Sequence, residues 1–475
     1  MFIGRLTNLP HVPRLRALLD APSMVRDPVS VIEGYRRTFG PTFTVHMGGG
    51  RPALVTTDPA VARHVLQGAA RTYEMSTIRV ERMAEFQGHG LLNSHGEAWR
   101  RRRLLLGKGF TPSRLADLVP IQEGVLRDSF VRLDDAAQRG PVDMGRMVLW
   151  MNFRLFGRSV FGSRMTDGEI EQIASTIRTI QRFIVRQIVQ PYLIPWYRLR
   201  GISSRHQRLR RDAERIARDY IAGRTDGESG DLLEIMLETP YPGPGERMSE
   251  DQVLVEALQL FVAGNETSPT ALSWALYLLA RHPEMQAEMR EEISEVLGDG
   301  PATLDALHRL ALTGRVLKET LRLYPSFWMI DRVAREDDRI GDARVPAGLT
   351  TLIYLYGLHR NTSVWSDPER FDPSRFEPEA RRGRDRFAYL PFGGGARKCI
   401  GSTMAVAQML LVLARLVGRY DFRPAEPHTV GVRPMMILHP DRPIRLHVTR
   451  VREGSPERGR SLPGRDRGAG RCAKR

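Results

Sequence analysis

Hydrophobic and polar residues recur along the chain with two different periods. From residue 97 to about residue 325 the apolar positions follow helical spacing, which predicts a largely helical body. On both sides of the glycines at 48–50 apolar and polar residues alternate, which predicts a β-hairpin. Weaker alternation over 329–356 and 433–449 predicts further short strands. The pattern therefore predicts a mainly α protein with small β-sheets in its N-terminal and C-terminal parts.

One predicted helix is much longer than the others. It begins at Ser249, where Gln252 three residues later gives the pattern of a capping box, and its helical spacing continues to Arg281. About 33 residues at 1.5 Å each would make it roughly 50 Å long. Because nearly all of its sides are apolar, we expect it to cross the molecule inside the core.

A polar run, AGNETSP at 263–269, interrupts this helix in its middle. Buried carboxyl and hydroxyl groups are costly without partners. Pro269 has no N–H, so the carbonyl of Asn265 is freed and the helix should bend there. Gly264 lacks a side chain, so another group can approach the backbone closely. The run predicts either a groove beside an acid and an alcohol, or a kinked core helix whose polar groups satisfy one another.

A carboxylate and an arginine lie three residues apart in RVLKETLRLYP at 315–325. Glu319 and Arg322 fall on one helical face, and the leucines beside them predict that the pair is buried. On a surface such a pair would contribute little, whereas a buried pair that loses one partner costs several kcal/mol. We interpret the pair as structural, although the bare E-x-x-R spacing occurs in many ordinary helices.

Cysteine is scarce, since the chain contains two, Cys399 and Cys472. Two cysteines exclude the usual zinc-finger and multi-disulfide frameworks. Cys472 lies in a Gly- and Arg-rich tail that is predicted to be disordered, so we expect no disulfide with Cys399. A reducing compartment fits this pattern.

Cys399 lies in the stretch PFGGGARKCIG, directly before a strongly helical run. A helix N-terminus together with Arg397 and Lys398 is expected to lower the pKa of the thiol and favour thiolate. The glycines would let backbone N–H groups turn toward the sulfur and let a flat ligand approach it. A thiolate is a nucleophile or a metal ligand, and no general base stands nearby in sequence. Phe392 and Arg397 suit a thiolate-ligated haem.

Five motifs resemble those of the cytochrome P450 family and stand in that family's order. The stretch FGGGARKCIG at 392–401 is similar to the haem signature F-x-x-G-x-R-x-C-x-G. The other four motifs are, in chain order, Trp99-x-x-x-Arg103, Ala263-Gly264-x-Glu266-Thr267, Glu319-x-x-Arg322 and Pro368-Glu369-Arg370-Phe371. The resemblance covers roughly residues 30–450 and implies the single triangular fold of that family.

This resemblance implies that the cofactor is haem b, iron protoporphyrin IX, with Cys399 as the thiolate ligand of the iron. Arginines would pair with the haem propionates through charge-assisted hydrogen bonds, and Phe392 would pack under the ring. The residues that it implies as cofactor-binding are Trp99, Arg103, Ala263, Gly264, Arg332, Phe392, Arg397, Cys399 and Gly401.

The resemblance also implies roles for the acid, the alcohol and the ion pair. Thr267 would hydrogen-bond to dioxygen or to an ordered water, and Glu266 would relay protons from solvent. Arg370 would complete a Glu-Arg-Arg triad, so that Glu319, Arg322 and Arg370 form a structural lock around the cysteine stretch.

The motifs together imply a haem-thiolate monooxygenase that hydroxylates or epoxidises a hydrophobic small molecule, using O2. Terpenoids, fatty acids, carotenoids and polyketides all fit the apolar and aromatic residues of 75–95 and 177–199, which resemble the family's variable loop and access helices. Two alternatives stay open: a haem-thiolate enzyme that uses or rearranges peroxides, and a non-catalytic haem-binding sensor. The pair Glu266 and Thr267 argues against both.

The formal net charge is +16, which favours an acidic partner, although such an excess also serves solubility alone. No nucleic-acid-binding module is recognisable, so nucleic acid is not an expected partner. Because no flavin or iron–sulfur domain is recognisable, we expect electrons from a separate protein. An acidic ferredoxin or a flavodoxin-like protein, each with its reductase, would fit the positive charge.

The chain divides by these criteria into an N-terminal lead segment (1–29), a haem-thiolate monooxygenase domain (30–450) and a basic, disordered tail (451–475). The apolar start is interrupted by Arg5, too early for a signal peptide or a membrane span. We therefore expect no transmembrane anchor and a cytoplasmic location.

Overall fold

The computed structural model describes residues 8–47, 51–162, 165–223, 231–241, 245–298 and 300–451. Most of these residues are helical and the strands form small sheets, so the predicted fold class is confirmed. The predicted disordered tail, with Cys472, lies outside the described residues from position 452 onward.

The helices fall into two groups along the chain. Those of the first group are α1 (Arg14–Leu19), α2 (Ala21–Arg26), α3 (Pro28–Phe39), α4 (Pro59–Arg63), α5 (Thr77–Gln87), α6 (Gly96–Gly107), α7 (Pro112–Gln138), α8 (Met144–Phe161) and α9 (Asp167–Val189). Those of the second group are α10 (Ile194–Leu199), α11 (Ile202–Ala222), α12 (Leu232–Glu238), α13 (Glu250–Ala280), α14 (Pro283–Leu297), α15 (Leu304–Arg309), α16 (Ala311–Leu323), α17 (Leu355–Leu358) and α18 (Ser402–Arg419).

The strands are β1 (Thr42–Met47), β2 (Arg51–Thr56), β3 (Tyr73–Glu74), β4 (Val142–Asp143), β5 (Ile330–Ala334), β6 (Asp338–Ile340), β7 (Ala343–Val345), β8 (Thr350–Ile353), β9 (Tyr420–Pro424), β10 (Val432–Pro434), β11 (Leu438–Pro440) and β12 (Arg445–Arg450). They form a five-stranded sheet of order β1-β2-β8-β5-β3, a three-stranded sheet β4-β12-β9 and the pairs β6-β7 and β10-β11.

The predicted N-terminal hairpin is confirmed, because β1 and β2 pair antiparallel with Phe43 opposite Val55. The residues that join the two strands, 48–50, are outside the described part of the chain. The preceding residues pack on this sheet: the N–H of Val12 donates to the carbonyl of Thr44 at 2.9 Å, and Val12 is fully buried. The boundary between lead segment and main domain at residue 29 stays a prediction.

The long helix α13 has 31 residues and is buried on all sides over its C-terminal half, as predicted. It packs against α8, where the ring of Phe261 lies 6.3 Å from that of Phe156 and 5.7 Å from that of Phe161. The predicted capping box is only half formed. Ser249 Oγ accepts from the N–H of Gln252 at 3.3 Å, whereas the side chain of Gln252 donates to Glu256.

Pro269 lies inside α13, and the carbonyl that it frees is satisfied by a neighbouring helix. Asn152 of α8 donates from Nδ2 to the carbonyls of Gly264 at 3.1 Å and Asn265 at 3.4 Å. Gln408 of α18 in turn donates to Asn152 Oδ1 at 2.6 Å. The interruption of α13 is therefore held by side chains from two other helices.

One helix among the described residues, α18, is long and apolar enough to cross a membrane by length and composition. In this fold 61% of it is buried inside the protein, where it packs as a core helix. It begins directly after the stretch 391–401, called the cysteine loop below. The fold thus places the cysteine loop against the end of a rigid, buried element.

Candidate active site

A cavity of about 320 Å³ lies between α13 and the cysteine loop. It brings together motifs that are up to 300 residues apart in the chain. All the residues predicted to bind the cofactor, and the predicted acid and alcohol, line it: Trp99, Arg103, Ala263, Gly264, Glu266, Thr267, Arg332, Phe392, Arg397, Cys399 and Gly401.

The cysteine loop owes its path to glycine. Gly393 and Gly395 have φ of 72° and 67°, in the left-handed region that favours glycine. A Cβ at position 395 would fall inside the carbonyl of Leu66, so the loop can approach the turn after α4 only without a side chain there. The N–H of Cys399 donates to the carbonyl of Phe392 at 2.9 Å and closes the loop.

Cys399 is exposed because its side chain faces the cavity, although protein surrounds it on its other sides. Burial raises the pKa of the Cys399 thiol, and the backbone N–H of Gly401 together with Arg103 and Lys398 opposes that rise. The expectation that nearby cations would lower the pKa is therefore wrong for the protein alone, because desolvation outweighs them. Binding of a metal cation would add the missing positive charge.

Two of the cavity arginines stack on one tryptophan. The guanidinium carbon of Arg397 lies 4.2 Å from the centroid of the Trp99 ring and that of Arg103 lies 5.7 Å from it. Arg397 donates to the carbonyl of Ser94 at 2.6 Å, and Arg103 donates to the carbonyl of Lys398 at 2.8 Å. These backbone oxygens thus hold both guanidinium groups in place at the edge of the cavity.

Three of the four arginines that line the cavity make no ion pair within the described residues, namely Arg103, Arg332 and Arg397, although Asp331 adds a weaker attraction at Arg332. The fourth, Arg79, is ion-paired with Asp331. Burial, followed by repulsion from Arg332 and Arg103, lowers the pKa of Arg397 to about 10. Burial also lowers the pKa of Arg103 and of Arg332. Three desolvated cations at one cavity call for an anionic ligand.

The acid and the alcohol lie on the α13 side of the cavity. Thr267 Oγ1 donates to the carbonyl of Ala263 at 3.0 Å, which leaves its oxygen free to accept. Burial raises the pKa of Glu266, and Arg178 and Arg182 of α9 oppose that rise. The carboxyl can therefore keep a proton at a higher pH than an ordinary glutamate.

Gly264 has a packing role that the sequence did not predict. A Cβ there would collide with the ring of Phe156 on α8. The missing side chain thus permits close packing of α8 on α13. Gly264 still lines the cavity, so its assignment as a cofactor contact stays a prediction.

The comparison with protein families decides what this arrangement is. The model of the family Cytochrome P450 matches residues 9–448. The chain belongs to the cytochrome P450 family. It is therefore a haem b enzyme of the monooxygenase type, and the resemblance stated from its five motifs is confirmed.

Individual relatives of this P450 come from bacteria and plants. It is 32% identical to cyclooctatin synthase of Streptomyces melanosporofaciens, over 82% of this chain and 85% of the relative. It is 28% identical to cyclooctat-9-en-7-ol 5-monooxygenase of the same organism, over 82% and 84% of the two chains. It is also 28% identical to Protein LUTEIN DEFICIENT 5, chloroplastic, of Arabidopsis thaliana, over 94% and 78%.

The residues around the cavity of this P450 fit haem b. A single thiol faces the cavity, desolvated arginines that lack carboxylate partners could pair with propionates, and Gly393 and Gly394 leave the loop surface flat. Cys399 would hold the iron, and Trp99, Arg103, Arg332 and Arg397 would hold the propionates. These individual roles stay predictions, since the comparisons identify the family and not the contacts.

The predicted structural lock needs one correction. Glu319 and Arg322 are fully buried and paired at 2.7 and 2.8 Å. The second arginine beside Glu319 is Arg375, whose Nε lies 3.5 Å from Glu319 Oε1 and which is 8% exposed. Arg370 is exposed and contributes only its backbone carbonyl, which accepts from Arg322 at 3.2 Å. The segment 368–376 contains P-x-R-F twice, and the sequence argument chose the first copy.

Sequence reasoning also missed two polar residues of α13, Glu256 and Gln259, which line the cavity two turns and one turn before Ala263. Both are buried, with exposures of 0% and 1%. The sequence could have indicated them, because they are two polar residues three positions apart in the otherwise apolar run VLVEALQLFV. Such groups must have specific partners.

Proposed function

We propose that this P450 hydroxylates a cyclic terpenoid, with electrons supplied by a separate acidic ferredoxin or flavodoxin-like protein. The observation that supports this substrate class is the apolar, methionine-rich lining of part of the cavity. It is formed by Met75, Met83, Leu91, Leu260, Val262 and Ile437. Methionine side chains adapt to irregular apolar shapes such as fused rings.

The charges at this wall disfavour a carboxylate-bearing substrate such as a fatty acid. Arg79 reaches the cavity, but it is ion-paired with Asp331 at 2.5 Å and is therefore already neutralised. The remaining cavity arginines lie on the side of Trp99 and the cysteine loop. The name of one relative, cyclooctat-9-en-7-ol 5-monooxygenase, states a cyclic alcohol as its substrate, which supports a neutral cyclic molecule here.

When bound, haem supplies the oxidising chemistry that transfers one oxygen atom from O2 to the substrate. The chain contributes orientation, exclusion of water and protons. Because the Thr267 hydroxyl donates its hydrogen bond to the carbonyl of Ala263, its Oγ1 can accept a hydrogen bond from water inside the cavity. The carboxyl of Glu266, whose pKa is raised by burial, can pass a proton toward that water and take up another from solvent.

The experiment is a ligand screen on the purified haem protein. Neutral cyclic terpenes and terpene alcohols should shift the haem absorbance at micromolar concentration, and saturated fatty acids of similar carbon number should bind at least about tenfold more weakly. Equal or tighter binding of the fatty acids would contradict the substrate proposal. Product analysis with O2, a ferredoxin and its reductase should then show a gain of one oxygen atom.

The redox partner is proposed to dock beside α6 and the cysteine loop. Arg100, Lys108 and Lys398 are exposed there. Attraction of an acidic protein to such a surface falls with ionic strength. Turnover should therefore drop steeply with added salt, and a double variant, Arg100→Glu with Lys108→Glu, should abolish that dependence. Salt-independent turnover of the wild type would refute the electrostatic part of the proposal.

We also propose a cytoplasmic location. It is supported by the burial of α18, the helix among the described residues that has the length and composition of a membrane span. Fractionation of cells that express the full chain tests it. Recovery of the protein in a carbonate-resistant membrane fraction would overturn it.

A further inference from the structure

The wall of the cavity includes Leu91 and Leu92. They belong to residues 88–94, called the latch segment below, which lead from α5 to α6. Two successive backbone N–H groups of this segment point at α13. The N–H of Leu91 donates to Glu256 Oε2 at 2.9 Å, and the N–H of Leu92 donates to Gln259 Oε1 at 3.0 Å. Both leucines line the cavity, so these two hydrogen bonds set the position of its wall.

The contact between the latch segment and α13 is unusually close. Gln259 Nε2 donates to the carbonyl of Gly88 at 3.0 Å and to Asn93 Oδ1 at 3.2 Å. A Cβ at Gly90 would lie 2.6 Å from Gln259 Oε1, and one at Gly88 would lie 2.9 Å from Val255. The segment can therefore reach these side chains only because glycine stands at both positions.

The far end of the latch segment touches the cofactor side of the cavity. The carbonyl of Ser94 accepts from Arg397 Nη2 at 2.6 Å. Beyond this end, on α6, Arg102 lies 3.3 Å from Glu256 Oε1 and donates to Gln252 at 2.9 Å. A movement of the latch segment would therefore displace Leu91 and Leu92, which line the cavity. It would also change the hydrogen bond to Arg397, which is predicted to hold a propionate.

We propose that Glu256 and Gln259 are positioning residues that hold the latch segment over the substrate cavity, and that ionisation of Glu256 loosens this hold. The proton on Glu256 would then decide how open the cavity is near neutral pH. The inference rests on the proposed function only in treating the cavity as the substrate site, because the hydrogen bonds themselves are independent of which substrate binds.

The surroundings of Glu256 support a response near neutral pH. Burial raises the pKa of Glu256 to about 7, and the N–H of Leu91, the charge of Arg102 and the amide of Gln252 hold it from rising further. Tyr241, from the segment before α13, also faces this carboxyl, and burial keeps its phenol neutral by raising its pKa.

Two further ionisable residues lie near the latch. Arg101, next to Arg102 on α6, is ion-paired with the exposed Glu246 at 2.6 Å and its guanidinium lies 4.5 Å from the centroid of the Tyr241 ring. His89 belongs to the latch segment and contributes its backbone carbonyl, which accepts from Gln252 Nε2 at 3.3 Å. The carboxyl that bonds directly to the backbone of the latch segment is that of Glu256.

The sign of the effect follows from linkage. The closed segment keeps water from Glu256 and so favours its neutral form, whereas an open segment lets the carboxylate be hydrated. Opening must therefore become easier as pH rises through the raised pKa. With a pKa of about 7 when closed and an ordinary carboxyl value of about 4.5 when fully open, the opening equilibrium grows by up to about tenfold between pH 6 and pH 8.

Hydrogen exchange at the amides of Leu91 and Leu92 tests this on the haem-loaded full chain without any substrate. After correction for the intrinsic exchange rate, protection of these amides should fall by several-fold, up to about tenfold, from pH 6 to pH 8 in the wild type. In Glu256→Gln, which keeps the acceptor for Leu91 without a titrating proton, protection should be the same at both pH values. Unchanged protection in the wild type, or an identical fall in Glu256→Gln, would overturn the proposal.

A second pair of variants tests the same point if Glu256→Gln fails to fold. Arg102→Gln removes the cation that favours ionisation of Glu256, so the fall in protection should move to higher pH. Arg101→Gln is the matched control, with an equal loss of charge on the same helix, and it should leave the midpoint in place. An identical midpoint in Arg102→Gln and Arg101→Gln would contradict the assignment of the titration to Glu256.

Substrate affinity gives a third measurement, read as the absorbance shift of the haem. A terpene that binds the wild type should bind more weakly at pH 8 than at pH 6, and Glu256→Gln should remove this difference. If no terpene binds but exchange behaves as expected, the proposed substrate class fails and the latch stands. If terpenes bind with the same affinity at both pH values while exchange is flat, the latch fails and the substrate class stands.

Discussion

The two walls of the cavity are built on different physical principles. The wall around Cys399 is fixed by backbone sterics, because a Cβ at Gly395 would overlap the carbonyl of Leu66. The other wall, the latch segment, is attached to α13 by hydrogen bonds from side chains to backbone, one of them through a carboxyl that can titrate. The first arrangement allows one geometry, whereas the second can loosen without unfolding the protein.

This difference suits the tasks of the two walls. If Cys399 holds the iron, as predicted, its sulfur must not move between catalytic cycles, because a displacement would change the electronic character of the cofactor. A substrate has to enter and leave, so the wall that encloses it must be less stable than the rest of the fold. Substitutions on the cysteine side should therefore act on cofactor retention, and those on the latch side on ligand exchange.

The largest effect is expected at the cysteine loop. Gly395→Ala should cost several kcal/mol and prevent stable haem incorporation, because the new Cβ would overlap the carbonyl of Leu66 at a backbone φ of 67°. The measurements are haem content and thermal unfolding. Gly383→Ala is the matched control, since its φ is 74° but nothing lies within 4 Å of the added carbon, and it should cost only about 1 kcal/mol.

The next effect separates the two candidate arginines of the lock. Arg375→Ala should destabilise the fold by about 3 kcal/mol, because it leaves the buried carboxylate of Glu319 with one cation fewer. Arg370→Ala should change the free energy of unfolding by less than about 0.5 kcal/mol, since its side chain is exposed. Denaturant unfolding monitored by haem absorbance measures both. Equal losses would refute the assignment of the lock to Arg375.

A smaller effect, confined to chemistry, is expected at the alcohol. Thr267→Ala should lower product formation with O2 by about 100-fold while leaving folding intact, because the hydroxyl that accepts from water in the cavity is lost. Turnover driven by added peroxide should change little. Product yield per electron consumed is the measurement. Unaltered coupling with O2 would contradict the role of Glu266 and Thr267 and reopen the peroxide-using alternative.

The smallest effect is expected at the latch. Gly90→Ala should displace the amide of Gln259, since the added carbon would lie 2.6 Å from its oxygen. Amide protection at Leu92 should fall and substrate release should become several-fold faster, with haem content unchanged. Gly34→Ala, where nothing lies within 4 Å, is the control. A loss of haem in Gly90→Ala would show that this wall is as rigid as the one around Cys399.

Much of the cysteine side was predictable from the sequence, because its constraints are local. The glycines before Cys399, the polar run in α13 and the E-x-x-R pair each occupy a few consecutive residues, and hydrophobic periodicity located the long helix. Arg375 was missed because two copies of P-x-R-F lie five residues apart, and only the three-dimensional path shows which one reaches Glu319.

The remaining features that the sequence did not predict depend on contacts that no local pattern contains. The packing role of Gly264 depends on Phe156, more than a hundred residues away, and the pKa of Cys399 depends on how much protein surrounds it. The latch could not be predicted for the same reason: Glu256 marks a buried acid, but its partner Leu91 offers only a backbone N–H, which every residue except proline has.

The amide of Asn152 has a consequence for any attempt to redesign α13. Replacing Pro269 with alanine would return an N–H, yet the oxygen that it would seek, on Asn265, is already engaged by a side chain whose own oxygen is engaged by Gln408. Straightening the helix would thus require coordinated changes on three polypeptide segments. Natural variation at these three sites should be correlated, with Asn152 and Gln408 exchanged together or not at all.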